Sequence, residues 1–154
     1  MRRIYYGFGD RLYHHVPAWV QDDAIFHIRV RCERESPSLT EPSLAAALLK
    51  SARLYHDQGR WWVHCFLLMP DHWHALLGFG RNVSMSRVIG DWKKYHAGYN
   101  GIVWQKGYFD HRVRNHLGEF HAKRTYIRHN PVVKGLCETP EVWPWQWAAI
   151  DPQR

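Results

Sequence analysis

Cysteine is scarce in this 154-residue chain. There are three, at positions 32, 65 and 137, an odd number with no Cys-x-x-Cys spacing. That excludes a disulfide framework and a cysteine-type zinc site, and it points to reduced, buried thiols. Long apolar runs are also missing. A stretch such as Cys65-Phe66-Leu67-Leu68-Met69 is strand-sized, whereas a bilayer span needs roughly 18–20 residues. The basic start Met1-Arg2-Arg3 is followed by no apolar segment of the kind a secretion signal carries. These absences predict a cytoplasmic protein without a membrane partner. There is no internal repeat and no low-complexity tract. Acidic residues are few, 14 against 21 Lys plus Arg, so the formal charge is +7 and the sequence pI about 9.5, in the range that suggests a nucleic-acid partner.

What is present fits one globular domain. Hydrophobic residues make up 45% and charged residues 23%, which rules out a disordered or collagen-like chain. The length suffices for one core. The excess charge is uneven: residues 1–80 carry 9 basic and 8 acidic side chains, residues 81–154 carry 12 and 6, and the span 87–134 alone carries 10 and 3. A polyanion footprint is therefore expected mostly in the second half. Twelve histidines and nine tryptophans are many for this size.

Hydrophobic periodicity predicts the elements. Residues 1–23 read as an irregular arm. Residues 24–32 alternate, with Phe26, Ile28, Val30 and Cys32 on one face and His27, Arg29 and Arg31 on the other, as a half-buried strand does. Residues 41–57 carry Leu44, Leu48, Ala52 and Tyr55 at helical steps and end at Gly59. Residues 61–69 and 72–79 read as two strands joined by the tight turn Pro70-Asp71. A second helix is expected over 84–97, a further strand over 107–114, and a third helix over 118–129, stopped by Asn130-Pro131. The tail 137–154 is turn-rich and aromatic. This order predicts an α+β fold, a mainly antiparallel sheet with packed helices.

Two groups of residues carry chemistry. His72 and His74, at i and i+2 of a strand, share one face, so their ring nitrogens can bind one divalent metal; a pair of surface histidines is the alternative. Trp73 between them points to the core. Tyr126 and Asn130, four apart on the third helix, also share a face. A tyrosine hydroxyl is an oxygen nucleophile if a cation, base or polarised electrophile assists it, and an asparagine offers a carbonyl oxygen to a metal or a helix end. Around them lie Lys93, Lys94, Lys106, Arg112, Arg114, Lys123, Arg124, Arg128 and Lys134, placed to meet phosphates or simply to solvate helix faces. Tyr95, Tyr99, Trp104, Tyr108 and Phe109 interleave with them, as aromatics that stack on unpaired bases do.

These blocks resemble, in order, the motifs of the single-tyrosine transposases of the HUH nuclease superfamily. His72-Trp73-His74 resembles the family's His-hydrophobe-His signature. Trp104-Gln105-Lys106-Gly107-Tyr108-Phe109-Asp110-His111 resembles its Trp-Gln-x-x-aromatic-aromatic-acid segment. Tyr126-Ile127-Arg128-His129-Asn130-Pro131-Val132-Val133-Lys134-Gly135-Leu136 resembles its tyrosine block, and Trp143-Pro144-Trp145 its tail motif. The REP-associated tyrosine transposases are the subgroup it resembles most. The resemblance spans residues 60–147. Trp73 is bulkier than the family's usual residue, Asp71 stands where Asn or Glu is common, and residues 1–23 match nothing.

The resemblance implies an HUH, ferredoxin-like arrangement in a single domain, with an arm (1–23), a catalytic core (24–136) and a tail (137–154). It implies Mg²⁺ or Mn²⁺ held by His72, His74 and Asn130, and Tyr126 as the nucleophile that cleaves and rejoins single-stranded DNA through a 5′-phosphotyrosine. The expected substrate is a single strand beside a hairpin, with no small-molecule substrate, handled by a monomer or a homodimer. The expected DNA contacts are Lys93, Lys94, Lys106, Arg112, Arg114, Lys123, Arg124 and Arg128. His111, His121 and His129 are candidates for assisting proton transfer. The competing expectation is a catalytically silent DNA-binding module of the same fold. A replication or mobilisation initiator would share the chemistry, usually with helicase or relaxase extensions.

Overall fold

A computed structural model describes residues 4–6, 10–13, 19–114 and 118–149. The first two strands, β1 (Ile4–Tyr6) and β2 (Asp10–Tyr13), pair with each other as a small antiparallel sheet. Then follow β3 (Val20–Arg31), α1 (Pro42–Asp57), β4 (Trp62–Met69), β5 (His72–Gly80), α2 (Met85–Asn100), β6 (Phe109–Val113), α3 (Glu119–Val133), a 3-10 turn (Pro140–Val142) and β7 (Gln146–Trp147). The main sheet has the order β6-β3-β5-β4-β7 with every pair antiparallel. The α+β expectation holds. Among the described residues, no helix is long and apolar enough to cross a membrane.

Strand alternation divides the core into two layers. On one face Ile28, Val30, Val63, Phe66, Leu68, Trp73, Ala75 and Leu77 pack against Leu44, Leu48 and Ala52 of α1 and Val88, Ile89 and Trp92 of α2. On the other face Ile25, Cys65, Leu67, Met69, Leu76 and Val113 pack against Phe120 and Ile127 of α3 and against Trp143. Helix α1 begins at Glu41, whose carboxylate accepts the Leu44 N–H at 2.9 Å, with Pro42 in the first turn. Helix α2 begins at Ser84, whose hydroxyl accepts the Arg87 N–H, and ends at Gly101 with φ +67°.

The β4–β5 hairpin closes through Pro70-Asp71, with Met69 paired to His72. The turn is tied down from outside: the Cys32 N–H donates to the Asp71 carbonyl at 2.9 Å and the Leu39 N–H to the Pro70 carbonyl at 2.9 Å. This fixes the register that places His72 and His74 on the α3 face.

Three expectations need correction. The arm 1–23 is not irregular throughout, since residues 4–6 and 10–13 form strands and β3 begins at Val20; the rest of residues 1–18 lies outside the described residues. Helix α3 does not stop at Asn130-Pro131 but continues to Val133. Proline removes one backbone donor, yet Pro131 is buried and the carbonyls of Asn130 and Pro131 accept the N–H groups of Lys134 and Leu136 at 3.0 and 2.8 Å. Packing outweighs the local penalty. The tail is more than turns: β7 pairs Trp147 with Phe66 and Gln146 with Leu67, and Trp143 Nε1 donates to the Leu68 carbonyl at 3.0 Å. Residues 150–154 lie outside the described residues. Cys32 and Cys65 are buried thiols as expected, whereas Cys137 is only half-buried.

Trp73 is fully buried, stacked on Phe66 with centroids 4.7 Å apart and edge-on to Trp92 at 5.3 Å. Trp73→Ala is expected to cost about 3–5 kcal/mol of stability through the cavity it opens. Urea unfolding monitored by far-UV circular dichroism measures this, and a loss below ~1 kcal/mol would contradict the packing described.

Candidate active site

Strand β5 turns His72 and His74 toward α3, in register with Arg31 and Arg29 of β3 and with Met69 and Leu67 of β4. Helix α3 crosses this face on Ile127 and Phe120, which brings Asn130 and Tyr126 over the two histidines. Asn130 is buried and Tyr126 is 54% exposed. The four side chains expected from the sequence to form one site do come together. They line a cleft of about 390 Å³ whose walls also include Arg29, Arg31, Asp71 and Lys134.

The nitrogens converge. His72 Nε2 lies 3.2 Å from His74 Nε2, and the Asn130 amide nitrogen lies 3.4 Å from the same His74 atom. The Asp71 carboxylate accepts from His72 Nδ1 at 2.7 Å, which leaves a lone pair on His72 Nε2. Asn130 Oδ1 is buried without a hydrogen-bond partner, and exchanging the two ends of an amide is a matter of assignment. Two imidazoles and the Asn130 amide thus meet at one point from one side. Among the described residues, no group of three or more His, Cys, Asp and Glu side chains surrounds a common point; the donor set depends on Asn130. Tyr126 presents its ring edge-on to His74, with centroids 5.9 Å apart.

The histidines of the cleft are held neutral. Burial, then the neighbouring His72, His27, Arg29 and Arg31, push His74 down to about 2. Burial lowers His72 too, against the opposing pull of Asp71. Hydrogen bonding to His72 in turn holds the Asp71 carboxyl below its usual range. Neutral imidazoles with free lone pairs suit a cation better than they suit an anion.

The basic residues expected to meet DNA separate into groups. Lys123, Arg124 and Arg128 are half-buried on α3, and Arg128 lies 3.5 Å from Glu141. Lys134 lines the cleft. Lys106 lines a neighbouring cleft of about 260 Å³ with Gln105, Tyr108 and Phe109, which shares Arg29 and Arg31 with the first. The Lys93 ammonium donates to the carbonyls of Gln105 and Gly107 at 3.1 and 2.8 Å, so it fastens this loop. Lys94 is exposed on α2, which packs against the opposite face of the sheet, beside Tyr95 and Tyr99. Arg112 pairs with Phe26, hence on that opposite face as well, and the Arg114 N–H donates to the Glu119 carboxylate. None of His111, His121 and His129 lines the cleft. His111 lies 3.4 Å from Glu119 and His129 donates to the Thr125 carbonyl.

Sequence reasoning missed Arg29, Arg31, Asp71 and His27 as site residues. The first two and His27 are the polar positions of an alternating strand. Their spacing places them together, but only the β3–β5 register shows that they border His74 and His72.

The five-stranded antiparallel sheet with helices on both faces matches the fold of a solved REP-associated tyrosine transposase. A solved structure of a REP-associated tyrosine transposase bound to a REP hairpin superposes with a TM-score of 0.70 over 86% of this chain and 81% of that one, at 19% identity. A candidate transposase from Deinococcus radiodurans R1 superposes with a TM-score of 0.50 over 78% of this chain and 93% of that one, at 15% identity. No protein-family model matches the chain, and no curated protein matches it.

Four of the buried histidines make the fold acid-sensitive. Burial is the leading cause that lowers His27 to about 4, His64 to about 3, His74 to about 2 and His96 to about 4. Each is neutral when folded and takes up a proton on unfolding once the pH drops below about 6.5. Stability is therefore full above that pH and falls progressively below it, as the unfolded chain takes up protons that the folded chain refuses. The urea midpoint should drop steeply from pH 7 to pH 5; a midpoint that stays level or rises contradicts neutral burial.

Proposed function

We propose that this chain is a DNA-processing enzyme, a single-strand endonuclease and strand transferase of the transposase type. The observation that supports it best is the exposed Tyr126 hydroxyl-bearing ring at the mouth of a basic cleft whose floor is His72, His74 and Asn130. The hairpin bound by the similar transposase makes hairpin-flanked single strands the substrate to try.

In this reading the Tyr126 oxygen attacks the scissile phosphorus in line. The phenol O–H gives up its proton as the O–P bond of a 5′-phosphotyrosine forms, the P–O3′ bond breaks, and the leaving oxygen takes up a proton as a 3′-OH, so no net proton is released. Attack by another 3′-OH reverses the step, restores the tyrosine and joins the strands. No energy source is consumed, because one phosphodiester is exchanged for another. Arg29 and Arg31 hold the phosphates on either side, the guanidinium geometry that suits bidentate contact. The strand continues into the neighbouring cleft, where Lys106 meets a phosphate and the exposed Phe109 ring borders the bases. Arg29 lies over the Phe109 ring, 4.8 Å from its centroid, and so couples the two clefts.

The donor set fits a divalent ion such as Mg²⁺ or Mn²⁺. His72 Nε2 and His74 Nε2 face each other with the buried Asn130 amide against them, and that amide carries an oxygen without a hydrogen-bond partner. Once bound, such an ion polarises a phosphoryl oxygen and stabilises negative charge at the leaving oxygen. Asp71 serves this set by fixing the His72 tautomer.

With labelled hairpin-flanked single strands and Mn²⁺, the wild-type chain should form a covalent, denaturation-resistant adduct, and Tyr126→Phe should bind the same strand without forming one. Adduct surviving in Tyr126→Phe removes the nucleophile assignment, and no adduct with any hairpin-flanked strand favours the silent binding module. In a separate experiment, replacing Arg29 and Arg31 with alanine should weaken binding and flatten the slope of log K against log salt by roughly 0.7 per lost phosphate contact. An unchanged slope would place the strand elsewhere.

A further inference from the structure

We infer that His27 is a positioning residue that sets which ring nitrogen of His74 carries the proton, and that the His27–His74 pair changes tautomer when a divalent cation binds. The inference rests on the reading of His72, His74 and Asn130 as the cation-holding set.

His27 sits on β3 opposite Leu76 of β5 and His111 of β6, diagonal to His74. It is 3% exposed. Its Nε2 lies 3.1 Å from His74 Nδ1, on the side of His74 away from the cleft, and the rings stack with centroids 5.3 Å apart. Phe109 and Tyr126 close over it edge-on. No phosphate or cation bound between His72 and His74 reaches His27 directly. Its influence passes through His74.

A neutral imidazole has one N–H and one lone pair, so the contacts allow two arrangements. In the first, His27 Nε2–H donates to His74 Nδ1, His74 Nε2–H donates to His72 Nε2, and His72 Nδ1–H donates to Asp71. Every N–H in this chain is used, the Asn130 amide turns its oxygen toward His74 Nε2–H, and the idle imidazole atom is the His27 Nδ1 lone pair, in keeping with the partnerless, buried His27 Nδ1. The His74 nitrogen that faces the cleft is then blocked by its own proton. In the second, His74 Nδ1–H donates to His27 Nε2, the His27 proton moves to Nδ1, and His74 Nε2 offers a lone pair beside that of His72. Cation binding requires the second arrangement. One proton leaves His74 Nε2 and one joins His74 Nδ1, while His27 exchanges Nε2–H for Nδ1–H, so no net proton is released. A ligating histidine gains basicity and a fixed orientation from an acceptor behind it, and here the acceptor is His27 Nε2.

Two measurements test this on the whole chain. Mn²⁺ titration by calorimetry should show His27→Leu binding at least about 10-fold more weakly than wild type, with His27→Gln, whose amide oxygen can accept from His74 Nδ1–H, recovering most of that loss. Nitrogen-15 NMR of wild type should show His27 protonated at Nε2 without cation and at Nδ1 with saturating Mg²⁺. Wild type that binds no Mn²⁺ overturns the cation site and this inference together. Wild type that binds Mn²⁺, with His27→Leu equally tight or with the His27 tautomer unchanged by Mg²⁺, overturns the role of His27 and leaves the cation site standing. Because the NMR arm uses wild type, it decides the matter even if a variant fails to fold.

Discussion

The seating of α3 on the sheet is the contact on which the site depends. Ile127 and Phe120 enter the apolar layer formed by Cys65, Leu67, Leu76 and Val113. Residues on the same side of the helix, one turn on, then fall over His72 and His74. Tyr126 is next to Ile127 in the chain, so burying Ile127 leaves the tyrosine ring at the rim, and Asn130, one turn further, enters the floor. The burial of Pro131 has the same consequence. A helix that stopped at Asn130 would leave that amide free to turn away; one that runs to Val133 holds it in place.

The sheet supplies the complementary constraint. Trp73 is anchored in the α1–α2 layer by Phe66 and Trp92, and strand alternation then obliges its two neighbours to face the other way. A one-residue slip would bury the histidines among tryptophans. The tied Pro70-Asp71 turn opposes that slip and also delivers the Asp71 carboxylate to His72. The same few hydrogen bonds therefore set strand register and imidazole tautomer.

Much of this was legible in local pattern. The hairpin, the His72–His74 pair on one face and the Tyr126–Asn130 spacing follow from periods of two and about 3.6. What was not legible depends on partners distant in sequence. His27, Arg29 and Arg31 look like a solvated strand face until α3 and β5 are known to cover part of it. Gln146 and Trp147 look like a turn until β4 offers an edge. The α3 C-terminus is not legible either, because the sequence shows a proline's local cost and hides the packing of Pro131 that offsets it. Lys93 reads as a phosphate contact, and only the structure shows that its ammonium also donates to two loop carbonyls.

In the proposed reaction one tyrosine, held over a neutral two-histidine floor, takes the DNA phosphate. Peptide mapping by mass spectrometry after reaction with a hairpin-flanked single strand tests it most directly. A nucleotide mass is expected on the peptide that contains Tyr126, localised to that side chain. Modification of another tyrosine such as Tyr95, Tyr99 or Tyr108, with Tyr126 untouched, would contradict it.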